Sequence, residues 1–484
     1  MKSPVYVREL AKYTLDGIAD LLAIDVIKAR ECVRSLASCG VITVSTGVSF
    51  DLSDNEDVGR GVYQFTWVGV AIFDEQPIIC YPKYYGENDR PSPPEMRQVF
   101  SVLRKGAGGY APINSFAFDG AYSTSGKLAL ILALIESYGE NGIYSNSVRV
   151  LRQNGGGAIS WERTIAKHDP FISNGVPVYF EYETNETARD TSDFVARLHR
   201  CVLTKCSDYL AETGLSELFS IGAIELSSDE IEDFGDENSI VYKLDQERAA
   251  QFVTWKQSVI DMLRLFVNGD ESFFKPDETI CLGTPVFQNL WEDACQTAFG
   301  NQLEYKIGSL NLDLADNWKP LANKRLIDVI PKPKWKRITV EGEVECGDCL
   351  TLIPDVVALH NDGAGGMAFC IYDAKYYTPI LGPSVKGAPG VESITKQILY
   401  QRAYRDFVLD NGCSKVINTF LVPRHGGEVR CVGRVEFPGV FDSLGDPFTD
   451  GVELWELPAE MLFECYLRGE ADSSLVQKVL NGVA

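Results

Sequence analysis

Histidine is scarce in this chain. There are four in 484 residues, His168, His199, His360 and His425, and none stands at metal-ligand spacing from another, which gives no support to a histidine-based hydrolase. No apolar run reaches the roughly 18 residues that span a bilayer, and the opening MKSPVYVRELAKY lacks a signal-peptide core. The expectation is a soluble, cytoplasmic protein with no membrane role. Thirteen cysteines are scattered without a framework spacing, as in a reduced cytosolic protein. The one C-x-x-C, Cys346 to Cys349, has no second pair and would leave zinc short of ligands. Gly120 to Lys127 is one residue too long for a P-loop, and Leu128 stands where a magnesium-binding hydroxyl is needed, so this chain is not itself the nucleotide hydrolase. Positive charge is also short: 45 Lys and Arg against 68 Asp and Glu leave a net charge of −23, which opposes long-range attraction to a phosphate backbone.

What is present is 45% hydrophobic and 11% aromatic, enough for two to four well-cored domains. Residues 1–50 read as three short helices, around VRELAKY, DGIADLLA and VIKARECVRSLASCG, and then the strand VITVS, with Gly40 as the helix-ending glycine. That order looks like a winged helix-turn-helix. Its third helix carries Lys28, Arg30 and Arg34, suited to a DNA groove, while Asp16, Asp20, Asp25 and Glu31 suit a protein-docking element equally. An acidic, turn-rich break at Asp51–Gly61 separates it from a mixed α/β middle region, 62–270. There Gln64–Phe73 and Pro77–Tyr81 read as strands around Asp74-Glu75, and KLALILALIESYG from Lys127 as a helix. The acidic run Ser227–Asn238 reads as a solvated loop or a partner-facing segment.

The region 271–484 holds the chemistry. Leu350–Tyr377 has two apolar runs flanking a glycine-rich turn, with Pro354-Asp355 on one and Asp373-Ala374-Lys375 on the other. Asp373 and Lys375, two apart, point to one face of a strand. Folding symmetrically about Ala364 sets Asp355 opposite Asp373, with Cβ atoms about 5 Å apart. Two carboxylates that close repel unless a cation lies between them. Magnesium, which takes one or two carboxylates and leaves its other positions to water and phosphate oxygens, meets that requirement. Lys375 would orient or help deprotonate a water, or neutralise charge building on a phosphate. The bland alternative is a surface ion pair worth less than about 1 kcal/mol. Upstream, Glu292 lies beside the apolar stripe of VFQNLWEDACQTAFG, with Asp293 as the competing acid. Downstream, SITKQILYQRAYRDFVL reads as an amphipathic helix capped by Ser393. Trp318–Ile338 concentrates positive charge, including Lys332, Lys334, Lys336 and Arg337, beside Trp335, and would track a nucleic-acid backbone or balance acidic neighbours.

The P-D and D-A-K elements resemble the PD-(D/E)xK nuclease superfamily, whose restriction-endonuclease-like fold is a mixed sheet flanked by helices. A helix before its hairpin supplies a further acid, and Gln397 and Tyr400 resemble its polar helix positions. A narrower resemblance adds the glycine-rich element Gly155 to Ile165 (GGGAISWERTI), the following PVYFEYET and the helix DFVARLHRCVLTKC. Together these are similar to the LlaJI family of restriction endonuclease subunits, relatives of McrC. The resemblance implies that Asp355 and Asp373 hold Mg²⁺, that Lys375 serves the water, and that Glu292 assists the metal. It further implies double-stranded DNA as substrate and a McrB-like AAA+ GTPase as partner, contacted through middle-region loops, for which Arg104-Lys105 is one candidate. Self-association stays open. Trp161 and Ile165 are four apart and are expected to pack together. Against the endonuclease stands a reading from another class, a non-catalytic DNA-binding or assembly subunit that works through its winged helix.

Overall fold

A computed structural model describes residues 3–44, 61–87, 89–106, 123–124, 126–190, 193–268, 280–340, 342–347 and 350–482. The break at residues 51–60, Cys349 of the C-x-x-C and most of Gly120–Lys127 fall outside them. The architecture is mixed α/β and multidomain.

The segment expected as the first of three helices is instead two strands, Val5–Arg8 and Lys12–Tyr13. The cause is tertiary. Val5–Arg8 pairs in parallel with Ile78–Tyr81, which buries Val7, and Leu10 takes a φ of 67°, off any right-handed helical path. Two helices follow, Leu15–Leu22 and Val26–Ser38. Thr14 and Asp25 cap them by accepting from the N–H groups of Gly17 and Lys28. Gly40 ends the second with a φ of 72°. A three-stranded sheet, in the order Lys12–Tyr13, Tyr63–Phe65, Ile42–Val44, backs the pair. One apolar core joins these helices to Trp67, Ala71, Ile78, Cys80 and Cys281, so strand pairing and packing run across both expected domain boundaries.

The five-stranded sheet of this half runs Val5–Arg8, Gln76–Tyr81, Val68–Phe73, Ile280–Thr284, Ser123–Thr124. Its central hairpin turns on Asp74 and Glu75, both at positive φ, as a two-residue turn between twisted strands requires. Gly69 and Gly283 face each other across two strands with the Trp67 ring packed on them. A Cβ on Gly283 would stand 2.3 Å from the Val68 carbonyl and 2.4 Å from the indole.

A small sheet, Asn146–Gln153, Glu183–Asp190 and Ala158–Ile159, carries the glycine-rich element. Gly157 lies so close to the neighbouring strand that a Cβ would meet the Asn185 carbonyl at 2.1 Å. The helix Trp161–Lys167 buries only Thr164, whose hydroxyl accepts from the Glu183 N–H. Trp161 and Ile165, expected to be a packed pair, are 52% and 61% exposed. The Trp161 ring meets the edges of Tyr179 and Tyr182. The separate hairpin Phe171–Ser173/Val176–Val178 also exposes apolar side chains, Phe171, Ile172 and Val176. The acidic run Ser227–Asn238 is not fully solvated. Ile231 and Phe234 are buried, and Asp229 and Glu230 pair with Arg197 and Lys205 of the helix Phe194–Glu212.

The C-terminal sheet runs Val356–Asn361, Met367–Ala374, Lys415–Arg424, Gly451–Pro458, Arg430–Glu436. Its first pair is antiparallel, the next two are parallel, and the last strand is antiparallel again. Phe369, Ile371, Val357 and Leu359 pack with Tyr400, Tyr404 and Phe407 on one face. Ala368, Cys370 and Tyr372 face Trp291, Phe463 and their neighbours on the other. The downstream helix begins at Val391 after Gly390, so Ser393 sits inside its first turn rather than at its cap. It breaks at Tyr404 before Arg405–Asp410. None of the described helices is long and apolar enough to cross a membrane.

Candidate active site

The hairpin pairs Val356 with Tyr372 and Asn361 with Met367, a register symmetric about Ala364. Continued by one residue, it sets Asp355 against Asp373 at the open end. By the alternation of a strand, Asp373 continues the row of Phe369 and Ile371, and Asp355 that of Val357 and Leu359, so both face the helix that carries Tyr400. Asp355 is fixed twice over. Its Oδ2 accepts from the Ala374 N–H at 2.8 Å, and its carbonyl accepts from Asn301 Nδ2 at 3.3 Å. Asn301 Oδ1 meanwhile accepts from the N–H groups of Leu303 and Val357, tying the end of the helix Phe287–Ala298 to the start of the strand.

Asp373 is 6% exposed, and Lys375 Nζ lies 2.6 Å from its Oδ2. Burial raises the Asp355 pKa to about 7, helped by the Asp373 charge and offset in part by Lys375. Burial also raises Glu292, which Lys375 lowers and Asp373 raises. No charge of the cluster shifts Asp293, whereas Lys375 and Asp373 both act on Glu292, so Glu292 is the acid coupled to the cluster. Burial pulls the Lys375 pKa down, yet Asp373, Asp355 and Glu292 outweigh it, and the group stays an ammonium. Burial and the charges of Asp373 and Asp355 raise the Tyr400 pKa, and its hydroxyl donates to the Ile353 carbonyl at 2.9 Å. Three carboxylates against one ammonium leave an excess of buried negative charge, an oxygen-only donor set that fits a hard divalent cation.

The LlaJI restriction endonuclease family model matches residues 67–328 and 319–441, more than half the chain. This chain belongs to the LlaJI restriction endonuclease family. It is 26% identical over 456 residues, 91% of its own length and 88% of the relative's, to the type II restriction enzyme BsuMI component YdjA of Bacillus subtilis (strain 168). Among solved structures it is similar to a chain of the assembly of Thermococcus gammatolerans McrB AAA+ hexamers with bound McrC. That likeness has a TM-score of 0.36 at 11% identity and covers 96% of this chain and 99% of that one. A second, to the McrBC complex of the same organism, has a TM-score of 0.21 at 12% identity over 54% and 80% of the two chains. Both are too distant to settle a shared fold.

Other expected residues of this LlaJI-family chain fall as follows. Gln397 is fully buried. Its Nε2 donates to the Thr419 carbonyl at 3.3 Å, and its backbone carbonyl accepts from Asn418 Nδ2. Lys334 and Lys336 lie on the exposed hairpin Lys336–Thr339/Gly342–Glu345 and its approach, paired with Glu345 at 3.1 Å and Glu343 at 2.7 Å. Lys332 and Arg337 are exposed beside them. Lys28 pairs with Asp74 at 3.0 Å on the second of the two N-terminal helices, which also carries the half-buried Arg30 and Arg34. Arg104 pairs with Glu136, and Lys105 donates to the Tyr466 carbonyl.

Sequence reasoning missed Glu9, Lys83, Tyr376, Asn301 and Trp291. Trp291 Nε1 donates to the Leu421 carbonyl at 3.1 Å, which fixes the helix bearing Glu292 against the sheet. Tyr376 immediately follows the D-A-K element, but no local pattern tells that its partner lies 367 residues away.

Proposed function

We propose that this chain is the Mg²⁺-dependent DNA-cleaving subunit of a restriction or phage-defence system, working with a separate McrB-like AAA+ GTPase. The observation that carries the reading is the mouth of the hairpin. There two acids face one another in register, a lysine two residues on touches one of them, and a third acid approaches from the preceding helix. Asp355 and Asp373 would hold the ion, with Glu292 assisting; Mg²⁺ bound there supplies polarisation of a scissile phosphate and of its water.

The chain's own groups do the rest. The Ala374 N–H holds one Asp355 oxygen and leaves the other to face the site. Lys375, charged and tethered to Asp373, neutralises charge building on a phosphate and orients the water rather than taking its proton. Tyr400 and Gln397 position the wall of the site through their backbone hydrogen bonds. The exposed lysine hairpin lies just before this region in the chain and provides a place for the backbone of a duplex.

We place the motor on the segment 161–180, where Trp161 and Ile165 of the helix and Phe171, Ile172, Val176 and Phe180 of the following hairpin region are each exposed. Large apolar side chains exposed in such number mark an interaction site when they cluster. The N-terminal unit, two helices backed by a three-stranded sheet, would serve as a DNA-contacting or docking element if it works as a winged helix does. The reading is tested in cells carrying the chain with its neighbouring genes. The intact system lowers phage plating, whereas Asp373→Ala or Lys375→Ala restores full plating at unchanged protein level. Undiminished protection by both variants would refute it.

A further inference from the structure

His425 immediately follows the strand Lys415–Arg424. Two glutamates from distant parts of the chain converge on its ring. Glu95, in the first turn of the helix Pro93–Gly106, places Oε1 2.8 Å from Nε2. Glu460, in the first turn of Ala459–Arg468, places Oε1 3.9 Å from the same nitrogen. The three ligand atoms all lie within 4.8 Å of one another, and no other His, Cys, Asp or Glu group of three among the described residues meets that test.

Both glutamates are also held by backbone N–H groups. Glu95 uses Oε2 to accept from the Ser92 N–H and hydroxyl, which frees Oε1. The Gly426 N–H is shared by both Glu460 oxygens, at 3.2 Å from Oε1 and 3.3 Å from Oε2. Tyr85 lies against the imidazole with ring centres 4.4 Å apart. On the far side of the ring, Asp89 Oδ2 stands 3.9 Å from Nδ1, the side from which a carboxylate commonly orients a metal-bound histidine. Among the described residues neither glutamate has a lysine or arginine ion-pair partner. Apart from His425 itself, no cationic side chain among the described residues is paired with these three carboxylates.

We propose that Glu95, His425 and Glu460 form a second metal site, one for a borderline divalent ion such as zinc, with Asp89 orienting the histidine. One imidazole nitrogen and two carboxylate oxygens suit zinc better than magnesium. Ligand distances near 2.0–2.2 Å would require the three atoms to rearrange by only about an ångström. The ion would clamp the middle region, through Glu95, to the C-terminal sheet, through His425 and Glu460.

The experiment is a zinc titration of the full chain against a chromogenic chelator, with unfolding temperature followed in parallel. Asp373→Asn, in which the hairpin site is removed, should bind one equivalent and wild type at least one, and both should melt at higher temperature with zinc. In the Asp373→Asn background, His425→Ala, and the shape-conserving Glu95→Gln and Glu460→Gln, should bind at least tenfold more weakly and lose the thermal shift. Cobalt(II) substitution should give a visible spectrum without sulfur-to-metal charge transfer, which separates this site from cysteine thiolates such as Cys346 and Cys431. Absence of the equivalent in Asp373→Asn, its retention in all three ligand variants, or a thiolate band would overturn the proposal. Because Asp373→Asn abolishes the magnesium site and not this one, its binding curve distinguishes failure here from failure of the nuclease reading.

Discussion

Tyr376, the residue after Lys375, donates a 2.5 Å hydrogen bond to Glu9, at the end of the strand Val5–Arg8. Glu9 is buried, and its pKa is raised by burial and lowered again by Lys83 and by the tyrosine. Lys83 donates its backbone N–H to the same carboxylate at 3.1 Å. This contact ties the N-terminal sheet directly to the segment that follows the strand Met367–Ala374 and carries Lys375. Tyr376→Phe leaves a buried carboxylate short of a donor. It should cost about 1–3 kcal/mol in urea unfolding and slow DNA cleavage, whereas Glu9→Gln, which keeps a polar partner, should cost less on both counts.

Asp355 gives the metal-free chain a pH signature. Its pKa rises from 3.8 to about 7 on folding, so the folded chain keeps a proton where the unfolded chain has lost it. The associated stability is complete below about pH 4 and is lost as pH climbs through about 7. In chelator, Asp355→Asn should match wild type near about pH 4 and exceed it near about pH 8 by on the order of 2 kcal/mol. Magnesium should stabilise wild type most on the alkaline side, where the site has shed its proton. Thermal unfolding across pH, with and without the ion, reads both effects.

Gly283→Ala tests the packing of the N-terminal half. The added methyl meets the Val68 carbonyl and the buried Trp67 ring, neither of which is a flexible end. A loss of about 3 kcal/mol or more is expected, against the 1–3 typical of ordinary overpacking. Chemical denaturation of the two proteins decides it.

The exposed apolar side chains of the hairpin Phe171–Ser173/Val176–Val178 should separate assembly from folding. Phe171→Ser combined with Val176→Ser changes two side chains that are each 60% exposed, so unfolding should shift by less than about 0.5 kcal/mol. Partner-dependent cleavage should fall at least tenfold while magnesium binding stays intact. Unchanged association with the motor would move the interface elsewhere.

The hairpin was legible because its evidence is local. Two apolar runs around Gly363 to Gly366 fix the register, and the register alone faces Asp355 with Asp373. The helix of Glu292 was equally legible from its stripe, although choosing Glu292 over Asp293 required knowing what lies across from them. The N-terminus misled for the opposite reason. VRELAKY has helical composition, but a parallel strand more than 70 residues away recruits Val5–Arg8. Trp161 and Ile165 have helical spacing and still stay exposed, because periodicity shows which residues share a face and not whether anything covers it. Glu9 with Tyr376 and Glu95 with His425 are meetings of residues more than 300 apart, beyond any pattern read along the chain.

The most direct test of the hairpin as a phosphodiesterase centre is plasmid cleavage by the purified chain with its AAA+ neighbour, GTP and Mg²⁺. Wild type should cut in a magnesium-dependent manner. Lys375→Ala and Asp373→Ala should leave the plasmid intact while still folding and joining the motor. Cutting at the wild-type rate by either variant, or by wild type in excess chelator, would contradict the account.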